Sequence, residues 1–237
     1  MSEYYNYSEY NEFNRMPNLD GIEGKIIQHL LHSESKAAET FWKLLKYDDK
    51  YALSQDNVAL ADKVAMVDGN SANTQGGQTG NTRLFVSPFV YDASETESTY
   101  VHIYVDDIHP IDHMRSNVSI TVETVVHALS NAIIGDADLE SNPDTNPNDY
   151  YYADPNNPAV QIKSRATVLL KCIISELNGL YLDGIGYLQF NTNFAFEGEK
   201  QRGYATLSLF NDRAYFGHKI QFNMAVSGIS SNSEDSF

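Results

Sequence analysis

The residues best suited to chemistry are three aspartates and two histidines that fall within eight positions of the chain. They are Asp106, Asp107, His109, Asp112 and His113. Carboxylate and imidazole groups at this density could bind a divalent metal ion, which would activate water for hydrolysis. The cluster has no defined ligand spacing, however, and Pro110 redirects the chain in its middle. We therefore predict a solvated turn between strands, and we keep a metal-dependent hydrolase as an alternative.

Two other features resemble parts of active sites. The glycine-rich stretch 76–80 has no Gly-Lys-Ser/Thr after it, so phosphate binding is not predicted. Cys172 is the only cysteine, which excludes an intrachain disulfide. It lies beside the apolar stripe of a predicted helix, so we expect a buried side chain rather than a nucleophile. We predict no cofactor and no enzymatic activity.

The chain is strongly acidic, with a formal net charge of -16. Such a surface repels phosphates, so sequence-independent binding of nucleic acid is not expected. The same repulsion would let DNA slide past without being gripped. The N-terminus lacks a basic start followed by an apolar stretch, and no apolar run approaches the ~20 residues that span a bilayer. We therefore expect a soluble product that starts in a cytoplasm and has no membrane partner.

Helical periodicity appears in three parts of the chain. Residues 21–47 carry apolar stripes typical of two helices, with Ser33 or Ser35 as the cap of the second. Residues 57–67 predict a short third helix. Residues 162–178 predict the longest helix, and Gly179 stands where a helix stop belongs.

Strand patterns account for most of the remaining body. The clearest covers 117–127, where Val118, Ile120 and Val122 begin an alternating apolar face. One buried and one wetter face indicate an antiparallel sheet. The predicted strands are 83–91, 99–108, 117–127, 187–194, 204–210 and 219–226, with a turn at 211–217. Separated helices and runs of strands predict an α+β fold, a mostly antiparallel sheet packed against a few helices with long loops.

We predict one domain with flexible ends. Residues 1–18 form a flexible N-terminal arm, 19–227 a single α+β domain, and 228–237 a flexible tail. The domain contains a long inserted loop at 136–158, which is rich in Pro, Asp and Asn. Aromatic side chains in the arm and the loop are predicted assembly contacts, because Tyr is common where protein surfaces meet. These residues are Tyr4, Tyr5, Tyr7, Tyr10, Phe13, Tyr150, Tyr151 and Tyr152.

Three stretches of the chain carry a family resemblance. They are FWKLLKYDDKYALSQDNV (41–58); RLFVSPFVYD with YVHIYVDD (83–92, 100–107); and NVSITVETVVH with RATVLLKCIISELNG and IGYLQF (117–127, 165–179, 185–190). In their order these stretches resemble the neck proteins of tailed bacteriophages, the head–tail connector and tail-terminator group.

The resemblance implies a small α+β virion protein without a cofactor, assembled in the host cytoplasm into a ring at the neck or tail. Its partners would be copies of itself, portal or connector proteins, and tail tube or sheath proteins. DNA would pass through the ring without specific binding. A baseplate or receptor-facing binding module is a further alternative.

Overall fold

The structure is a computed structural model, and it describes eight parts of the chain. They are residues 20–68, 82–87, 98–110, 115–134, 162–182, 185–193, 203–209 and 215–227. Within them the chain forms four α-helices and ten strands, mostly antiparallel, which confirms the predicted α+β class. The predicted arm, tail and inserted loop lie outside the described residues.

The helices follow the apolar periodicity of the sequence. They are α1 (Asp20–His32), α2 (Lys36–Lys46), α3 (Leu60–Ala65) and α4 (Arg165–Leu177). Ser35 begins α2, because its hydroxyl accepts a hydrogen bond from the Ala38 backbone N–H at 2.9 Å. Trp42 is fully buried and donates its indole N–H to the Leu30 carbonyl at 2.8 Å, so it belongs to the core.

Two helix boundaries differ from the prediction. The third helix covers only 60–65 rather than 57–67. The last helix begins at Arg165 rather than at residue 162, because 162–164 pair as a strand with 132–134. Gly179 does end the segment as expected: its φ of 84° lies in the left-handed region, which glycine adopts without a steric penalty.

The strands form one large sheet and two small ribbons. They are β1 (Leu84–Phe85), β2 (Thr99–Pro110), β3 (Arg115–His127), β4 (Ala132–Ile134), β5 (Ile162–Ser164), β6 (Tyr181–Leu182), β7 (Gly186–Tyr187), β8 (Gln189–Phe190), β9 (Tyr204–Leu209) and β10 (Tyr215–Ser227). The large sheet has the order β1-β2-β3-β10, and both β8 and β9 pair with the far side of β10. Among the described strands of this sheet, β1 and β2 form the parallel pair and the other pairs are antiparallel. β4 pairs with β5, and β6 pairs with β7.

The helices cover one face of the large sheet. The predicted apolar face of β3 is fully buried. Its apolar residues share one core with α1, α2 and α4, and Thr124 on the same face is also buried. The facing positions of β10 (Ile220, Phe222 and Met224) are buried in the same core. The alternation in the sequence therefore identified the core face of the central strand correctly.

The predicted turn at 211–217 is wrong at its end, since Tyr215, Phe216 and Gly217 belong to β10. Glycine is a turn signal in a sequence, but Gly217 serves a strand here. A Cβ at this position would lie 1.6 Å from the Thr124 carbonyl oxygen of β3, so only glycine permits this approach of the two strands. The predicted strand 187–194 is likewise interrupted, at Leu188, between β7 and β8.

Candidate functional site

The Asp106 cluster lies at the end of β2, where the strand is irregular. The pairing with β3 shifts between Val105 and Asp107, which leaves Asp106 at a β-bulge. Asp106 accepts a hydrogen bond from the Thr121 hydroxyl at 3.0 Å, and Asp106, Asp107 and His109 are all exposed. Asp112 and His113 lie outside the described residues.

Metal-ligand geometry is absent from the part of the chain that the structure describes. No group of three or more His, Cys, Asp or Glu side chains there could hold a metal ion. His127, the histidine at the end of β3, lies six residues beyond Thr121 along the strand, which corresponds to about 20 Å. The structure therefore brings no histidine from β3 to Asp106.

A polar cluster that the sequence analysis missed lies on the sheet face away from the helices. Tyr104 of β2 donates its hydroxyl hydrogen to Glu123 Oε1 of β3 at 2.8 Å. Lys219 Nζ of β10 lies 3.3 Å from both Glu123 Oε1 and the Tyr104 hydroxyl oxygen. Burial raises the pKa of Tyr104, and the Glu123 carboxylate raises it further. The three groups satisfy one another, so the cluster fixes three strands side by side.

The register of the strands explains why this cluster was missed. The three residues are adjacent only because His102 pairs with Glu123, Tyr104 pairs with Thr121, and Lys219 pairs with Glu123 across the strands. Alternation in the sequence places each residue on the wetter face, but alternation does not fix which residues stand opposite one another.

Arg165 forms a second buried polar centre. It is 0% exposed, and its Nε donates to the Ser130 carbonyl at 2.7 Å. Nη1 donates to the backbone carbonyls of Leu44 and Tyr47 at 2.7 and 2.6 Å. Nη2 donates to the backbone carbonyl of Asp49 at 2.7 Å. The guanidinium thus caps the C-terminal end of α2, where helix carbonyls lack partners. Burial lowers its pKa, while Asp48 and Asp49 raise it.

A groove of about 500 Å³ lies between α2 and α4. It is lined by Ser35, Lys36, Ala37, Thr40, Val168, Lys171, Cys172, Ser175 and Glu176. At one end Glu176 accepts hydrogen bonds from the hydroxyls of Ser33 (2.8 Å) and Ser35, and His29 Nε2 lies 3.4 Å from it. This carboxylate ties the α1–α2 turn to α4.

Burial disfavours a nucleophilic role for the cysteine in this groove. Cys172 is buried, as the sequence predicted. Burial raises the pKa of its thiol to about 12, and the Glu176 carboxylate adds to this. The thiolate, which is the reactive form, is therefore scarce at neutral pH.

Exposed aromatic side chains lie on the small β6–β7 ribbon. Tyr181 is 53% exposed and Tyr187 59% exposed, and their ring centroids are 4.8 Å apart. The aromatic contacts that the sequence predicts lie elsewhere in the chain, in the arm and the inserted loop. All eight of those predicted contact residues lie outside the described residues. The signal for the ribbon was the Tyr-x5-Tyr spacing around Gly184 and Gly186.

The described residues define an α+β protein in which Glu123, Lys219 and Arg165 are partnered internally and two exposed tyrosines lie on a short ribbon. A sequence model of the YomW family matches residues 38–211, from within α2 to just past β9. The chain belongs to the YomW family. The family is phage-derived, of the SPβ-prophage type, so the predicted phage origin is confirmed at the level of the family.

Two further comparisons bear on identity. Comparison with curated proteins found no match, and comparison with solved structures found none either. Among the described residues, no helix is both long and apolar enough to span a bilayer.

Proposed function

We propose that this chain is a structural protein of the phage particle, a subunit of a ring at the head–tail neck that acts as a connector or tail terminator. The observation that carries the proposal is the match of a phage-derived family to 38–211, which includes most of the folded body. The chain's resemblance to neck proteins supports the position within the particle that we propose.

The surface chemistry supports assembly through contacts. Tyr181 and Tyr187 form one exposed aromatic patch, and such patches are typical of protein–protein contacts. On α3, Leu60 and Val64 stand four residues apart and are 47% and 38% exposed. Residues at this spacing share one helix face, so α3 offers a second apolar contact surface.

The polar clusters support a role without catalysis. Glu123 and Lys219 contact each other and Tyr104, and Arg165 donates hydrogen bonds to four backbone carbonyls. Such contacts hold segments of the fold in place, which favours a structural role for these groups. The acidic net charge supports passage of DNA through a ring, because it disfavours adhesion of the phosphates.

Deletion of the gene from its phage genome tests this function. We expect lysates in which DNA-filled heads and finished tails accumulate separately, as seen by negative-stain microscopy, and in which plasmid-borne wild type restores joined particles. Normal joined and infectious particles in the deletion lysate would exclude the neck role. A loss of adsorption with fully joined particles would instead support the receptor-facing module.

A further inference from the structure

The groove between α2 and α4 has a floor of small side chains. Ala37 and Thr40 of α2 face Val168, Cys172 and Ser175 of α4 across a volume of about 500 Å³. None of the described residues that line it is aromatic. A groove with this floor has room for planar rings from another segment, and binding sites combine such apolar space with a few polar groups.

The rim of the groove is positive in a chain that is strongly acidic. Lys36 and Lys171 are exposed, and neither has an ion-pair partner among the described residues. The carboxylate of Glu176 is 7% exposed and is held by Ser33 and Ser35. Two unpaired lysines therefore favour an acidic occupant, through charge complementarity that guides binding.

The residues before α1 have the matching chemistry. Residues 1–19 contain Glu3, Glu9 and Glu12 against a single basic side chain, Arg15. Five aromatic residues are spread among these glutamates. They are Tyr4, Tyr5, Tyr7, Tyr10 and Phe13. An acidic segment that carries several aromatic rings fits a lysine-rimmed groove with a small-residue floor.

The length of this segment permits exchange between copies. Nineteen residues span up to roughly 60 Å when extended. The 13-residue helix α1 separates Asp20 from the groove end by about 20 Å. When fully extended, the segment would be about three times as long as α1, which is long enough to reach a neighbouring copy.

We propose that residues 1–19 of one copy bind in the α2–α4 groove of a neighbouring copy and so link adjacent subunits. This inference rests on the proposed function, because it names the contact by which copies join. Binding by segment exchange lets a modest body bury additional interface when it assembles.

Photo-crosslinking in assembled particles tests the contact. Two full-length copies with different tags are produced together in cells that make the phage, and one carries a photoreactive phenylalanine analogue at Tyr7. After irradiation of purified particles, we expect cross-links from the tagged photoreactive copy to α2 or α4 of the other copy. Cross-links confined to the same copy, or to other surfaces, would overturn the proposal.

Variants of the groove sharpen the test. Ala37→Trp fills the floor, and Lys36→Glu with Lys171→Glu reverses the rim charge; each should lower the inter-copy cross-link at least tenfold. Glu9→Lys with Glu12→Lys should restore it in the charge-reversed groove. Lys163→Glu on β5, outside the groove lining, is the control for a reversed charge and should leave the cross-link unchanged.

Failure of this inference is distinguishable from failure of the proposed function. Particles that contain the chain but give no groove cross-link, or one that Ala37→Trp leaves unchanged, contradict the segment contact alone. Purified particles that lack the chain contradict the neck function, and with it the segment contact.

Discussion

Arg165→Met should destabilise the fold strongly, because the change removes the donors of four backbone carbonyls. Two of these bonds, to Ser130 and Leu44, are buried, whereas those to Tyr47 and Asp49 are partly exposed and can be replaced by water. A buried carbonyl left without a donor costs about 1–3 kcal/mol. Two such carbonyls give an expected loss of about 4 kcal/mol, a large share of the roughly 5–15 kcal/mol that stabilises a typical domain.

Urea unfolding measured by tryptophan fluorescence is the assay. Trp42 is the single tryptophan, is fully buried, and lies in the helix whose C-terminal end Arg165 caps. With a slope of about 3 kcal/mol per M, a loss of about 4 kcal/mol lowers the midpoint by about 1.3 M. The midpoint of Arg165→Lys should lie between those of the wild type and Arg165→Met, because one ammonium group cannot donate to all the carbonyls that the planar guanidinium reaches.

Lys163→Met is the matched control for loss of a positive charge. Lys163 lies two residues before Arg165, is half-buried, and has no ion pair among the described residues. Its substitution should change the free energy of unfolding by about 0.5 kcal/mol or less. If the free energies of unfolding of Arg165→Met and this control differ by less than about 1 kcal/mol, the assignment of Arg165 as the cap of the C-terminal end of α2 is wrong.

Three more perturbations have defined outcomes. Gly217→Ala should lower the free energy of unfolding by about 3 kcal/mol in the same urea assay, because the new Cβ would lie 1.6 Å from the Thr124 carbonyl oxygen. Gly24→Ala should instead stabilise α1 by up to about 1 kcal/mol, because a Cβ there meets nothing within 4 Å. Cys172 should resist a thiol reagent at pH 8 in the folded protein and react at once in urea, since burial raises its pKa to about 12; equal rates would contradict its burial. Burial lowers the pKa of His102 in the folded protein. Below the usual histidine pKa of about 6.5, the unfolded chain therefore binds more protons than the folded protein. Stability should therefore be full above that pH and fall as the pH drops further, and His102→Gln should flatten this fall.

The sequence was most informative about features that depend on the pattern within a single helix or strand. The stripe from Ile22 to Leu31 and the alternation from Val118 to Val126 predicted which sides of α1 and β3 are buried. Both patterns are read within one element, and burial of one face is what selects them. The α+β class follows from the order of such elements.

Features that depend on contacts between distant segments were not predictable in this way. Arg165 reaches carbonyls more than 110 positions away, and nothing in RATVLLK distinguishes it from a solvated arginine. The Tyr104–Glu123–Lys219 cluster requires the register of three strands. Gly217 fits a turn as well as a strand when only its neighbours in the sequence are considered, and the close approach of β3 is what requires glycine there.

Quantitative mass spectrometry of purified phage particles tests the central claim most directly. With an isotope-labelled standard for this chain and for the portal protein, we predict a fixed, ring-sized number of copies per particle, equal from one preparation to the next. Particles that are infectious and complete but contain no copies of the chain would contradict the account.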